Sequence, residues 1–182
     1  MAMWSILPLL LHMTCMRLHT TDAYPGTGFG LAICKKIMNN ENRHILIVDD
    51  NSADRMLMRE ALSDTQLNAT LHTACNGEEA MKFLRRVGEY SAAPRPDLII
   101  LDLNMPRKNG LEVLSEIKSD RLLLRIPVVI LTTSQSADDV SRAYSEHANC
   151  YIRKPMDFEK FEKVMTVIEQ FWFSSVTFPP RR

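Results

Sequence analysis

The sequence contains no C-x-x-C pair. Its four cysteines, Cys15, Cys34, Cys75 and Cys150, are widely scattered. This excludes the usual spacing of a structural zinc site or a redox dithiol and points to a reducing compartment. The chain carries no net charge, because 22 basic residues balance 22 acidic ones. Bulk electrostatics therefore support neither nucleic-acid nor membrane binding. No apolar run is long enough to span a bilayer; the longest, residues 4–11, is interrupted by Pro8. No Lys or Arg precedes that run and no small-x-small site follows it closely. A signal peptide is not indicated, and a cytoplasmic protein is expected. There is no internal repeat and no low-complexity segment. What remains is an ordinary globular composition, 46% hydrophobic and 24% charged, over a length of 182 residues that suits one domain with extensions.

The most informative stretch is Pro96-Asp97-Leu98-Ile99-Ile100-Leu101-Asp102-Leu103-Asn104-Met105-Pro106. Residues 98–101 form an apolar run bounded by turn formers, which suits a strand buried on both faces of a parallel sheet. It ends in Asp102, and Pro106 with the pair Asn109-Gly110 predicts a turn before the next helix. The same grammar recurs from His44 onward. Residues 45–48 predict a strand ending in Asp49-Asp50, with Ser52 expected to cap the helix that follows. Residues 69–74 predict a second strand, Asn76-Gly77 a turn, and a helix with Ala80, Leu84 and Val87 on one face and Gly88 as its stop. Residues 127–131 predict a fourth strand ending in Thr132, and residues 150–152 a fifth ending in Arg153-Lys154-Pro155. The last helix carries an apolar stripe of Phe158, Phe161, Val164, Met165, Ile168 and Phe171. Strands alternating with helices imply an α/β fold with helices on both faces of a parallel sheet.

Ligands in such sheets bind beyond the carboxyl ends of the strands. Asp49, Asp50, Asp102, Thr132 and Lys154 all fall at those ends. Each has a bland reading alone: a solvated loop carboxylate, a helix cap, a surface lysine. Together they describe a site. Crowded carboxylates repel one another and need a cation, and an all-oxygen set favours a hard ion, with Mg²⁺ the natural choice for phosphate chemistry. A carboxylate can accept a phosphoryl group as an aspartyl phosphate. Lys154 and Thr132 would then serve the phosphoryl oxygens, and no His or Glu is placed for proton transfer.

The motifs Ile47-Val48-Asp49-Asp50-Asn51, Leu101-Asp102-Leu103-Asn104-Met105-Pro106, Leu131-Thr132-Thr133 and Tyr151-Ile152-Arg153-Lys154-Pro155 resemble the receiver domain of two-component response regulators. The resemblance covers residues 44–173. It implies a flavodoxin-like (CheY-like) five-stranded sheet of order 2-1-3-4-5. It further implies that Asp102 is the phosphoacceptor, that Asp49, Asp50, Asp102 and the backbone carbonyl of Asn104 hold Mg²⁺, and that Thr132 and Tyr151 form a switch pair. The run 88–91 before 94–97, the segment Cys150-Tyr151 and the tail Phe171-Trp172-Phe173-Ser174-Ser175-Val176-Thr177-Phe178-Pro179 look like the small regulators partnered with bacterial phytochromes. A phytochrome-type sensor histidine kinase is then the expected partner. Residues 1–43 read as a poorly ordered extension. There Arg17-Leu18-His19-Thr20 and the Gly-rich segment 24–30 resemble a vestige of a histidine-kinase nucleotide lid and glycine box, without the rest of that ATPase domain. No ATP binding is expected of it.

The expectation is therefore a signalling receiver rather than an enzyme. An aspartate-nucleophile phosphatase of the haloacid dehalogenase type usually wants an acid two positions after the nucleophile, and here that position is Asn104. A phosphorylation-independent scaffold and a fragment of a hybrid kinase stay open. Residues 174–182 are read as a tail. Phe171, Trp172 and Phe173 are consecutive and cannot all point inward on an α-helix. A homodimer through the fourth helix, fifth strand and fifth helix is expected, with those three rings at the interface. The alternative is a tail that folds back and hides them.

Overall fold

The structure is a computed structural model that describes residues 42–63 and 68–180. The histidine-kinase-like segment and its Gly-rich loop lie outside the described residues. Five strands, β1 (Arg43–Val48), β2 (Ala69–Ala74), β3 (Leu98–Leu101), β4 (Val128–Thr132) and β5 (Cys150–Arg153), form one parallel sheet in the order β2-β1-β3-β4-β5. Five helices follow them: α1 (Ser52–Ser63), α2 (Gly77–Arg85), α3 (Gly110–Ser119), α4 (Ala137–Ser145) and α5 (Phe158–Glu169). A short 3₁₀ turn spans Gly88–Tyr90, and a π-helical turn spans Gln170–Ser175. Among the described residues no helix is long and apolar enough to cross a membrane.

The central strands are buried on both faces, so alternate residues supply two cores. Leu46, Val48, Ile99, Leu101, Val128 and Ile130 face α2 and α3, where Ala80, Leu84, Leu114 and Ile117 meet them. Ile45, Ile47, Leu98, Ile100, Val129 and Leu131 face Met58 and Leu62 of α1 and Phe161, Met165 and Ile168 of α5. The register aligns Val48 with both Ala74 and Leu101, Leu101 with Ile130, and Thr132 with Arg153. The residues that follow β1, β3 and β5 therefore come out along one edge.

Several helix ends differ from expectation. The α1 amides are capped by Asn51, not Ser52: the Asn51 side chain accepts from Ala53 N at 2.9 Å. Asn76-Gly77 is not a free turn. Asn76 is the N-cap of α2, accepting from Glu79 N, and Gly77 is the first helical residue. The helix stops before Gly88, at Arg86 in the left-handed region (φ 57), and Val87 is exposed rather than on the apolar face. Asn109 closes a capping box with Glu112 at the start of α3. On α5, Phe161, Met165 and Ile168 are buried, whereas Phe158 points outward.

Candidate functional site

Backbone hydrogen bonds fix the strand-end residues. Asp49 N donates to Ala74 O at 3.1 Å, Asp102 N to Val48 O at 2.9 Å, and Lys154 N to Thr132 O at 2.8 Å. Each residue is thereby tied to the neighbouring strand, and the three side chains meet. Asp49, Asp102 and Lys154 are all buried, while Asp50 is exposed at the rim. Carboxylate oxygens of Asp49, Asp50 and Asp102 lie within 4.8 Å of one another. Asn104 N donates to Asp102 Oδ1 at 3.1 Å, which holds the loop after β3 against the carboxylate.

The Lys154 ammonium is shared among three carboxylates. Nζ lies 2.5 Å from Asp49 Oδ2, 2.8 Å from Asp102 Oδ2 and 2.9 Å from Asp54 Oδ2. Burial opposes its charged form, yet the bonds to Asp102 and Asp49 outweigh burial and hold Lys154 above the ordinary lysine range. For Asp49 the balance goes the other way. Burial raises its pKa, and the bond and charge of Lys154 oppose that only in part. With Asp50 at the rim, four carboxylates share the site with one ammonium, which leaves an excess of negative charge. The donor set that remains, clustered oxygens with one carboxylate open to solvent, fits a hard divalent cation held by Asp49, Asp50 and Asp102.

Thr132 is the last residue of β4 and fully buried; its Oγ1 accepts from Ser134 N at 3.3 Å. Tyr151, half-buried on β5, donates from its hydroxyl to Ser134 O at 3.3 Å. Both members of the expected switch pair thus touch the same residue of the β4–α4 loop. Asp54 was not among the expected site residues. It sits in the first turn of α1, and its signal, an acid four residues after Asp50 on a helix entering from the same edge, is weak without the helix's orientation.

The aromatic end of the chain departs from the expected exposed surface. The π-helical turn turns Trp172 into the core beside Phe161 and Ile168. Phe178 stacks on Trp172 with ring centroids 6.1 Å apart and also meets Phe173 at 5.4 Å. The Arg43 guanidinium lies over the other part of this cluster, 5.2 Å from the Phe178 ring. The tail folds back as far as Phe178. Of the three rings expected at an interface, Trp172 is buried and Phe173 half-buried, and only Phe171 is exposed.

The response regulator receiver domain family matches residues 45–166, more than half of the chain. The chain belongs to that family. It is a receiver of two-component, phosphoryl-accepting signalling, related to phytochrome response regulators. The response regulator Rcp1 of Synechocystis sp. is 45% identical over 141 residues, which span 78% of this chain and 96% of that protein. The solved structure of the phosphorylated cyanobacterial phytochrome response regulator RcpA is 47% identical with a TM-score of 0.75, covering 77% of this chain and 100% of that one. The Mn²⁺-bound form of Rcp1 is 46% identical with a TM-score of 0.74, covering 76% and 99%. The receiver fold expected from the strand pattern is the fold observed, including the strand order.

Proposed function

We propose that this receiver takes a phosphoryl group on Asp102 from the phosphohistidine of a phytochrome-type sensor histidine kinase. The observation that carries the assignment is the placement of Asp102, buried at the end of β3 with Lys154 on one oxygen and Asn104 N on the other. In the proposed step a carboxylate oxygen of Asp102 attacks phosphorus, a P–O bond forms, the P–N bond breaks, and its electron pair returns to the imidazole. No proton transfer is required of the protein. Lys154 meets the charge on the phosphoryl oxygens. Asp49, Asp50, Asp102 and the backbone carbonyl of Asn104 would hold Mg²⁺, whose chemistry when bound is to neutralise the carboxylates and the incoming oxygens. The Thr132 hydroxyl, which accepts from Ser134 N and donates in none of the described hydrogen bonds, has its hydrogen to offer a phosphoryl oxygen. Tyr151 would follow it through the shared contact with Ser134, so the phosphorylated state is read on the face of α4, β5 and α5.

In this reading the chain is not an enzyme. It acts in the cytoplasm by self-phosphorylation and partner binding, without nucleic acid or membrane. The likeness to RcpA supports the phytochrome-type partner. Incubation with a phosphorylated histidine kinase and Mg²⁺ tests it. A hydroxylamine-sensitive phosphoryl label should appear on the wild type and be absent from Asp102→Asn. A label that persists on Asp102→Asn refutes the assignment.

A further inference from the structure

The ammonium of Lys154 has three N–H groups, and three carboxylates accept them. Two partners, Asp49 and Asp102, lie at strand ends and belong to the site described above. The third, Asp54, comes from the first turn of α1 at 2.9 Å, with a side chain about one quarter exposed. We propose that Asp54 is a positioning residue: with Asp49 it holds Lys154 by two N–H groups and so aims the third at Asp102. The inference rests on the phosphoacceptor reading of Asp102.

The geometry gives this third partner a specific task. When Asp102 becomes an acyl phosphate, the oxygen that bonds phosphorus loses its charge and accepts only weakly. The N–H that pointed at Asp102 must then turn to a phosphoryl oxygen. An ammonium on a flexible four-carbon stem keeps its place through that exchange only if its other bonds persist. Asp49 alone is one bond and leaves Nζ free to swing about it. Asp49 and Asp54 approach from two different elements, the end of β1 and the start of α1, and together fix the nitrogen. Asp54 is itself held in place: its backbone N lies 3.5 Å from the Asn51 side chain that caps the helix. Thus α1 contributes to the site through Lys154 while making no contact of its own with Asp102 among the described hydrogen bonds.

The test uses acetyl phosphate as donor, at saturating Mg²⁺, so that no kinase docks on α1. Asp54→Ala should slow labelling of Asp102 about tenfold, the scale of a misplaced rather than a missing group. Asp54→Asn keeps an oxygen acceptor in the same place and should stay within about threefold of wild type. The second readout needs neither metal nor donor. The ¹⁵N-ammonium signal of Lys154 should be slowly exchanging in the wild type and in Asp54→Asn, and lost in Asp54→Ala. A thermal midpoint shows whether each variant is folded, and Asp54→Leu, which fills the space without an acceptor, repeats the Ala measurement. Wild-type labelling by Asp54→Ala overturns the proposal. So does an unchanged ammonium signal in that variant, or an Asp54→Asn rate as slow as that of Asp54→Ala, which would assign the effect to charge. If the wild type takes no label on Asp102, the phosphoacceptor reading fails and the ammonium signal alone decides the role of Asp54.

Discussion

Asp49 is only 1% exposed, and burial raises its carboxyl above the ordinary value of 3.8 despite two interactions with Lys154. A carboxyl whose folded value is raised adds stability that is complete below the unfolded value and is lost as pH rises through the folded one. Asp49→Asn does not titrate. Without metal, the melting midpoint of that variant minus that of the wild type should therefore be larger near about pH 7 than near about pH 4. Equal differences at both would mean that Asp49 carries no net burial penalty. Asp50 stands apart because it is exposed. Asp50→Ala should weaken Mg²⁺ binding, measured by titration calorimetry, with the fold intact; unchanged affinity removes Asp50 from the metal site. At this scale Asp49, Asp50, Asp102, Thr132 and Lys154 were legible because each follows or ends an apolar strand run, and a parallel sheet brings strand ends together. Asp54 was not legible. Whether a residue in a helix's first turn reaches the site depends on how that helix is rotated against the sheet, and local pattern does not encode the rotation.

The elements differ in how plainly the sequence marks them. β2 and β3 occupy the residues that alternation and apolar runs predict, because burial on one or both faces leaves a direct trace in side-chain type. Helix ends are set by finer competition. Asn51 and Ser52 are both good caps, and the structure uses the one whose side chain reaches Ala53 N. Arg86 ends α2 in the left-handed conformation, two residues before the expected stop at Gly88, which is left-handed as well. The start of α3 shows what such an end does for the site. A Cβ on Gly110 would lie 2.1 Å from Asp102 O and 2.7 Å from Leu103 Cα, so the helix begins directly against the strand end. Gly110→Ala must push aside the backbone that carries Asp102, and phosphotransfer should fall by more than about tenfold in a protein that still folds. Asn109→Ala, one residue earlier, removes the capping box and should cost about 1 kcal/mol in denaturant unfolding. It should leave the labelling rate nearly unchanged. If the two variants behaved alike in both measurements, close packing at Gly110 would not be what positions Asp102.

Assembly of the whole molecule turns on the end of the chain. The aromatic tail suggested three rings awaiting a partner, and local sequence could not show that a π-helical turn would rotate Trp172 inward and let Phe178 cover it. The tail completes the second core, with Val176 and Phe178 packed against it. Trp172→Ala would therefore empty a core site and should destabilise the fold by about 3–5 kcal/mol, which makes it a poor probe of association. What stays outward is narrower: Val167 and Phe171, 61% and 54% exposed, one helical turn apart at the end of α5 and its extension. A pair of large apolar side chains on one face is a modest patch, of the kind that anchors association between chains. Phe171, not Trp172, is the ring a homodimer through this face would use as its anchor. Sedimentation at several micromolar concentrations should show a dimer for the wild type and a shift toward one chain for Phe171→Glu. The melting midpoint of a dilute, monomeric sample should hardly differ between the two, since an exposed position contributes within about 0.5 kcal/mol. A wild-type mass of one chain throughout that range, or a dimer undiminished in Phe171→Glu, would leave the receiver acting as a monomer whose α5 face waits for a different partner.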